Sequence, residues 1–230
     1  LLVCSFTIAF ALSTPALDKI MLPKLVLLDR DGVINRDVGA PGVLDKSQLE
    51  LTPNAGVAIG RLKRAGCKIA VVTNQSCVGK GLISEAYLVE NIHKQLQAML
   101  LEEDCDAVIE HVLYCTSLRD SGDPRMKPNP GMLIEAMEMF RADLEETVLI
   151  GDAFRDLIAA SGAGIKLRVL VETGYGHELI SRSPNLNKCD GVELIDDENF
   201  NDTLMPPVSP FLYTTNLNTA VEWILSRGDQ

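Results

Sequence analysis

The chain is short of basic residues and has no long apolar run. Its 21 lysines and arginines are outnumbered by 32 aspartates and glutamates, which gives a formal net charge of −11, and no stretch of Lys or Arg stands out. A surface that binds nucleic acid needs such a basic stripe, so no nucleic-acid partner is expected. The apolar residues 1–12 are fewer than the roughly 20 that a membrane-spanning helix takes, so no membrane partner is expected either.

Closely spaced cysteine pairs are also missing. The six cysteines are scattered, with no C-x-x-C motif, and a chain of this length does not need disulfide staples, so we interpret them as reduced thiols. Residues 1–20 lack the positively charged start of a signal peptide. We predict that they are a dispensable N-terminal extension and that the protein is cytoplasmic. A targeting segment, with an organellar or secretory location, is the alternative.

The remaining composition is that of an ordinary globular protein. Hydrophobic residues make up 47% of the chain, with 17 glycines and 11 prolines among 230 residues, which excludes a collagen-like or wholly disordered chain. We expect a single, monomeric domain over residues 21–230. Residues 181–210 are rich in Asn, Asp, Pro and Ser and predict a loop-rich excursion.

From Lys24 onward, short apolar runs alternate with amphipathic stretches. This alternation predicts right-handed β-α-β crossovers and an α/β fold, doubly wound, with a mostly parallel sheet and helices on both faces. Ligands bind such sheets at the carboxyl ends of the strands. The predicted strands are Lys24–Leu28, Lys68–Val72, Val108–Tyr114, Val148–Ile150, Arg168–Val171 and Phe211–Thr215. The predicted helices start at Thr52-Pro53, Ser84 and Asn129-Pro130 and span about Arg155–Ser161 and Ala220–Ser226.

Two carboxylates, Asp29 and Asp31, directly follow the first predicted strand, and Gly32 comes next. In an extended segment, residues i and i+2 point to the same side. One such carboxylate can attack phosphorus, and a second can protonate the leaving oxygen and then deprotonate water. Taken alone, this short motif also fits a plain Asp-Gly surface turn.

Three further polar clusters follow predicted strands or precede a predicted helix. The tetrapeptide Thr73–Ser76 offers hydroxyl, amide and turning backbone N–H groups, which suit an oxyanion. Lys127 is a cation held just before a Pro-started helix, and Asp152 and Asp156 carry the oxygen ligands that Mg²⁺ prefers. Taken singly, these are also a polar loop, a solvated lysine and an acidic helix start. We expect these clusters and the Asp29 motif to lie together at one edge of the sheet. This coincidence favours a catalytic site over four unrelated surface features.

Four motifs in a fixed order indicate a family. D-x-D-G lies at Asp29–Gly32, V-V-T-N-Q-S ends at Ser76, K-P-x-P-G-M begins at Lys127 and G-D-x-x-x-D begins at Gly151. In this combination the chain resembles the haloacid dehalogenase-like phosphatases over about residues 24–174. Within them it is most similar to the subgroup that contains D-glycero-D-manno-heptose 1,7-bisphosphate phosphatase and histidinol-phosphate phosphatase.

The resemblance implies a role for each motif. Asp29 would be the nucleophile and Asp31 the general acid/base. Mg²⁺ would be the cofactor, bound by Asp29, the Asp31 carbonyl and Asp152, with Asp156 in support. No large cap domain fits, because the short span between Asp31 and the second strand is largely taken up by a helix. The residues implied to contact the phosphate or the sugar are Thr73, Asn74, Gln75, Ser76, Lys127, Asp37, Gly39 and Arg125.

The chain departs from that subgroup in the segment before Lys127. Members usually carry a zinc loop, C-x-H followed by C-x-C, but here only Cys115 is present and Ser117 stands where the histidine would fall. Structural zinc takes about four ligands, so we predict no zinc. The order of Thr116–Met126 should come instead from Pro-restricted backbone and local hydrogen bonds.

The sequence therefore predicts a Mg²⁺-dependent phosphomonoesterase that acts on a small sugar phosphate, similar to a heptose bisphosphate, through an aspartyl-phosphate. Within enzymes, the alternatives are a histidinol-phosphate phosphatase and a nucleic-acid 3′-end phosphatase. From another class, the alternative is a non-catalytic interaction module that has kept the fold.

Overall fold

A seven-stranded sheet forms the centre of the molecule. The computed structural model describes residues 21–176, 191–195 and 208–228. The strand order is β3-β2-β1-β4-β5-β7-β6, in which all neighbours pair in parallel except β6, which runs antiparallel to β7. The strands are β1 (Leu25–Leu28), β2 (Lys68–Asn74), β3 (His111–Cys115), β4 (Thr147–Gly151), β5 (Leu167–Val171), β6 (Val192–Ile195) and β7 (Phe211–Thr214).

Helices cover both faces of this sheet. The α-helices are α1 (Ala55–Arg64), α2 (Ser76–Gly79), α3 (Glu85–Tyr87), α4 (Lys94–Glu103), α5 (Gly131–Phe140), α6 (Phe154–Gly162) and α7 (Leu217–Gly228). A π-helical segment, Leu88–His93, joins α3 to α4, and 3₁₀ turns lie at Lys46–Gln48 and Leu144–Glu146.

The residues of the central strand β1 show why helices pack on both faces of the sheet. All four of its residues are apolar and fully buried, as expected for a parallel strand with both faces covered. Val26 and Leu28 belong to the core that contains α1, α4 and α7, whereas Leu25 and Leu27 belong to the core that contains α5 and α6. This arrangement confirms the predicted doubly wound α/β fold. In the described residues, only one 3₁₀ turn lies between β1 and α1, so no large cap domain is present there.

Two predicted helix starts are wrong in detail, because tertiary contacts take the capping side chains. The Thr52 hydroxyl donates to the carbonyls of Val33 (2.7 Å) and Ile34 (3.2 Å) rather than capping a helix, and α1 begins after Asn54. Asn129 likewise donates to the Asp123 carbonyl at 2.8 Å, and α5 starts at Gly131. The predicted cap at Ser84 is confirmed, since its hydroxyl accepts the Tyr87 N–H at 3.0 Å.

The excursion predicted at 181–210 is described only in part. Its residues 191–195 include β6, a strand that the sequence analysis did not predict and whose four residues pair with β7 at the edge of the sheet. The rest of the excursion up to 207, and the extension at 1–20, lie outside the described residues. In the part of the chain that is described, none of the helices has the length and apolarity needed to cross a membrane.

Candidate active site

The carboxyl ends of β2, β1 and β4 bring the predicted site residues to one edge of the sheet. These strands are neighbours in the order β2-β1-β4 and run in parallel. Asp29 follows β1, Asp152 follows β4 and Thr73 lies near the end of β2, and all three are nearly or fully buried. The edge predicted from the strand pattern is therefore the place where the polar side chains meet.

Lys127 is buried between two carboxylates. Its Nζ lies 3.1 Å from Asp29 Oδ2 and 2.7 Å from Asp156 Oδ1, and it donates to the Val72 carbonyl at 2.7 Å. Burial lowers the pKa of Lys127, but the charges of Asp156 and Asp29 outweigh it and leave the pKa raised. Burial raises the pKa of Asp29, and Lys127 opposes that rise. The ammonium group therefore stays charged and faces the predicted nucleophile directly.

Asp29, Asp152 and Asp156 form a buried carboxylate cluster, with one oxygen of each within 4.8 Å of the others. Burial raises the pKa of Asp152 to about 8, with Asp156 and Asp29 adding to the rise. Asp152 Oδ2 accepts the Tyr175 N–H at 2.9 Å, whereas Asp152 Oδ1 is buried and accepts no hydrogen bond from the described part of the chain. An unsatisfied buried oxygen among three carboxylates fits a hard divalent cation such as Mg²⁺.

Glycines let the backbone approach this cluster. Gly32 and Gly174 have φ of +82° and +70°, and a Cβ on either would overlap the Asp152 carboxylate. A side chain at either position would both strain the backbone and displace the carboxylate. These two glycines therefore leave the space that the Asp152 carboxylate needs within the cluster.

Asp31 is held apart from the carboxylate cluster by a network of donors. Arg30 Nη2 contacts its two oxygens at 2.9 and 2.8 Å, Asn35 Nδ2 donates at 2.9 Å and Gln75 Nε2 at 3.0 Å. Burial raises the pKa of Asp31, but the charge of Arg30 and these hydrogen bonds outweigh it and lower the pKa overall. The Arg30 side chain is fully buried. This role was not predicted, although a charged residue between two carboxylates at the end of a buried strand is a signal for it.

The polar side chains at the end of β2 and directly after it mostly form hydrogen bonds with other protein groups. Asn74 Oδ1 accepts the Lys127 N–H at 3.0 Å and its Nδ2 donates to the Lys127 carbonyl at 2.9 Å, so Asn74 positions the lysine backbone. Gln75 bridges Asp31 and Thr73, donating to Thr73 Oγ1 at 2.9 Å. Ser76 begins α2. Gln75 thus orients Asp31 and Thr73, and the contact of Thr73 with the phosphoryl group stays a prediction.

Three predicted substrate contacts do not join this cluster. Asp37 Oδ1 accepts the Gly39 N–H at 3.0 Å, which makes a local turn between β1 and α1. Arg125 Nε lies 3.1 Å from Glu135 Oε2. Together with Arg30 and His93, Arg125 lines a separate cavity of about 640 Å³ along β3.

Asp123 ties together the segment in which the subgroup carries its zinc loop. Its Oδ2 accepts from Ser117 Oγ and from Cys115 Sγ (3.5 Å), and its Oδ1 accepts the Arg125 N–H at 2.8 Å. The expected local hydrogen bonds are therefore present, and they converge on a carboxylate that the sequence analysis did not single out. The absence of zinc stays a prediction.

Arg155 is a further residue that the motifs did not assign. Its Nη2 lies 3.8 Å from both Asp29 Oδ2 and Asp152 Oδ1, and its Cζ lies 5.4 Å from the centre of the Tyr175 ring. It adds a second cation beside the nucleophile.

Comparison with known proteins identifies the family. A sequence profile described as haloacid dehalogenase-like hydrolase matches residues 41–164, more than half of the chain. The chain belongs to the haloacid dehalogenase-like hydrolases. This confirms the family resemblance and, with phosphatases as its relatives, the predicted class of phosphoric monoester hydrolase. The matched range begins after Asp29 and Asp31, so the roles of these two residues stay predictions.

Two similar proteins carry the same enzyme name. The D-glycero-beta-D-manno-heptose-1,7-bisphosphate 7-phosphatase of Pseudomonas putida is 38% identical over 161 residues, which cover 69% of this chain and 88% of that protein. The enzyme of the same name from Pseudomonas aeruginosa is 36% identical over 156 residues, covering 68% and 85%.

A solved structure agrees with these relatives. The D,D-heptose 1.7-bisphosphate phosphatase from B. bronchiseptica, complexed with magnesium and phosphate, superposes with a TM-score of 0.72. It is 28% identical, and the match covers 88% of this chain and 98% of that one. This hydrolase therefore shares both its fold and nearly the full length of that enzyme.

Proposed function

We propose that this hydrolase is a Mg²⁺-dependent phosphomonoesterase that acts on a small sugar phosphate, similar to a heptose bisphosphate, through an aspartyl-phosphate on Asp29. The observation that carries the proposal is the pairing of buried Asp29 with Lys127 inside the cluster of three carboxylates. Asp31, two residues along the chain from Asp29, is held by Arg30. The names of the similar proteins favour a heptose bisphosphate over histidinol phosphate or a nucleic-acid end.

In the first step, an Asp29 oxygen attacks phosphorus and forms an acyl-phosphate while the ester P–O bond breaks. The leaving oxygen takes a proton from Asp31 and departs as an alcohol. Thr73 and Lys127 offer a hydroxyl and an ammonium to the phosphoryl oxygens, and Lys127 offsets their negative charge. Asp31 is held ionised by Arg30, so it must be protonated before this step.

In the second step, Asp31 takes a proton from water, and the resulting hydroxide attacks phosphorus. The acyl-phosphate P–O bond breaks, which releases inorganic phosphate and restores Asp29. Burial raises the pKa of Asp31, but the charge of Arg30 and the hydrogen bonds lower it overall, and this direction suits a base in the second step. Mg²⁺, held by Asp29, Asp152 and the Asp31 carbonyl with Asp156 in support, would neutralise charge on the phosphoryl oxygens.

The test is phosphate release from a panel of substrates, with Mg²⁺ or with EDTA. The panel contains heptose 1,7-bisphosphate, histidinol phosphate, a 3′-phosphorylated oligonucleotide and p-nitrophenyl phosphate. We expect heptose 1,7-bisphosphate to have the highest kcat/KM of the panel. Asp29→Asn should abolish turnover. Asp31→Asn should accumulate phosphoenzyme from p-nitrophenyl phosphate, because the leaving group of that substrate needs no proton. Circular dichroism checks that both variants are folded. Near-wild-type activity of Asp29→Asn would contradict the mechanism, and no activity on any substrate would favour an interaction module.

A further inference from the structure

The guanidinium of Arg155 lies partly exposed beside the site, and its N–H donors are unused by the residues that the structure describes. Its side chain is 37% exposed, and Nη2 lies 3.8 Å from Asp29 Oδ2 and 3.8 Å from Asp152 Oδ1. Both distances are beyond hydrogen-bond range. The guanidinium makes no hydrogen bond to any residue that the structure describes. The carboxylates thus attract Arg155 without consuming its N–H donors.

Tyr175 holds this arginine in place. The guanidinium carbon lies 5.4 Å from the centre of the Tyr175 ring, within the range of a cation–π contact. The Tyr175 backbone N–H donates in turn to Asp152 Oδ2 at 2.9 Å, so the main chain that carries the ring is bonded to the same carboxylate that attracts the arginine. Stacking occupies the face of a guanidinium and leaves its edge, with the paired N–H groups, free for an anion.

The charges in the site favour an anion at that edge. When all three are ionised, as a bound cation requires, Asp29, Asp152 and Asp156 carry three negative charges, which Lys127 and one divalent cation would just balance. A phosphate monoester brings up to two more negative charges. Among the described residues, Lys127 and Arg155 are the cationic side chains within 4 Å of the Asp29 carboxylate. Lys127 shares its ammonium between the phosphoryl oxygens and its contacts with Asp29, Asp156 and the Val72 carbonyl. Arg155 makes no hydrogen bond to a described residue, so it is the second cation available to the incoming group.

We infer that Arg155 binds the phosphoryl group of the substrate from the solvent side, through the paired N–H donors of its guanidinium. It is then a substrate-binding residue in addition to Thr73 and Lys127. Two parallel N–H···O contacts to a phosphate are the geometry for which the arginine fork is suited. This inference rests on the proposed phosphatase function. The rival explanation is that Arg155 only neutralises the carboxylates while no divalent cation is bound.

Calorimetric titration separates these two explanations. The ligands are Mg²⁺ alone and inorganic phosphate at saturating Mg²⁺, and the variants are Arg155→Gln and Arg155→Lys. The matched control is Arg227→Gln, because Arg227 also stacks on an aromatic ring, with its Cζ 4.8 Å from the centre of Trp223. We expect Arg155→Gln to raise the Kd of phosphate about tenfold or more, the loss expected for a charged hydrogen bond. Arg155→Lys should fall in between because it keeps the charge but loses the fork, and Arg227→Gln should match the wild type.

The outcomes distinguish failure of this inference from failure of the proposed function. If Arg155→Gln leaves the Kd of phosphate within twofold of the wild type and only tightens Mg²⁺ binding, the arginine is a stand-in for the metal and the inference is wrong. The proposed function would then still stand, since the wild type binds phosphate and hydrolyses its substrate. If the wild type neither binds phosphate nor hydrolyses any phosphate ester, both the function and the inference fail.

Discussion

Buried His93 makes the stability of the protein depend on pH in a way that can be measured. The side chain is 9% exposed, its ring packs edge-on against Tyr114 at a centroid distance of 5.5 Å, and its Nε2 has no hydrogen-bond partner among the described residues. Burial, and then the nearby charge of Arg30, lower the pKa of His93 to about 3 from an ordinary 6.5. The folded protein therefore holds a neutral imidazole well into the acidic range.

The direction of the effect follows from proton binding. Between pH 6.5 and pH 3 the unfolded chain binds a proton at this histidine and the folded protein does not, so the stability present above pH 6.5 is lost as the pH falls. One pKa unit corresponds to about 1.4 kcal/mol. Because the folded-state pKa lies well below 5, lowering the pH from 7 to 5 should cost about 2 kcal/mol through His93 alone.

The variant His93→Phe keeps an aromatic ring against Tyr114 but cannot be protonated. We expect urea unfolding, followed by circular dichroism at pH 7 and pH 5, to show a loss of unfolding free energy about 2 kcal/mol smaller in His93→Phe than in the wild type. His111→Gln, which changes an exposed histidine, is the control and should keep the wild-type loss. Equal losses in the wild type and His93→Phe would show that the buried imidazole is protonated without unfolding, and would refute the reasoning.

Two further predictions concern the metal and the buried lysine. EDTA should abolish phosphatase activity, and added Mg²⁺ should restore it. Elemental analysis should find no stoichiometric zinc. One bound zinc per chain, lost together with activity, would contradict the prediction that the protein needs no zinc. Lys127→Met should remove activity and lower the unfolding free energy by about 3–5 kcal/mol, because it leaves two carboxylates buried without their cation. The exposed-lysine control Lys166→Met should change stability by about 0.5 kcal/mol or less, and an equally small effect of Lys127→Met would show that the carboxylates take up protons at little cost.

The parts of the site that follow from strand order were predictable. Asp29 and Asp152 follow parallel strands that are neighbours, so their meeting needs only the rule that ligand-binding residues follow the carboxyl ends of such strands. The strand β6 was missed because its four residues lie in a segment rich in Asn, Asp and Pro, and only pairing with β7 reveals them.

The contacts between side chains and distant backbone were not predictable. Asn74 looked like a phosphate ligand, yet its amide is taken by the main chain of Lys127, 53 positions away. The buried pairing of Arg30 with Asp31 depends on surroundings that exclude water, which no short motif encodes. Local patterns therefore identify which residues reach the site, whereas the packed structure decides which of them remain free to touch substrate.

The contacts of Lys127 with Asn74 and with the buried carboxylates also affect the stability of the segment that carries the lysine. A segment that opens locally usually gives up few buried contacts. Here, opening the segment before α5 would pull an ammonium group out from between Asp29 and Asp156 and leave both charges in the interior. The ion pairs of the active site thus stabilise the segment that carries Lys127, and they do so from the protein interior rather than from the surface.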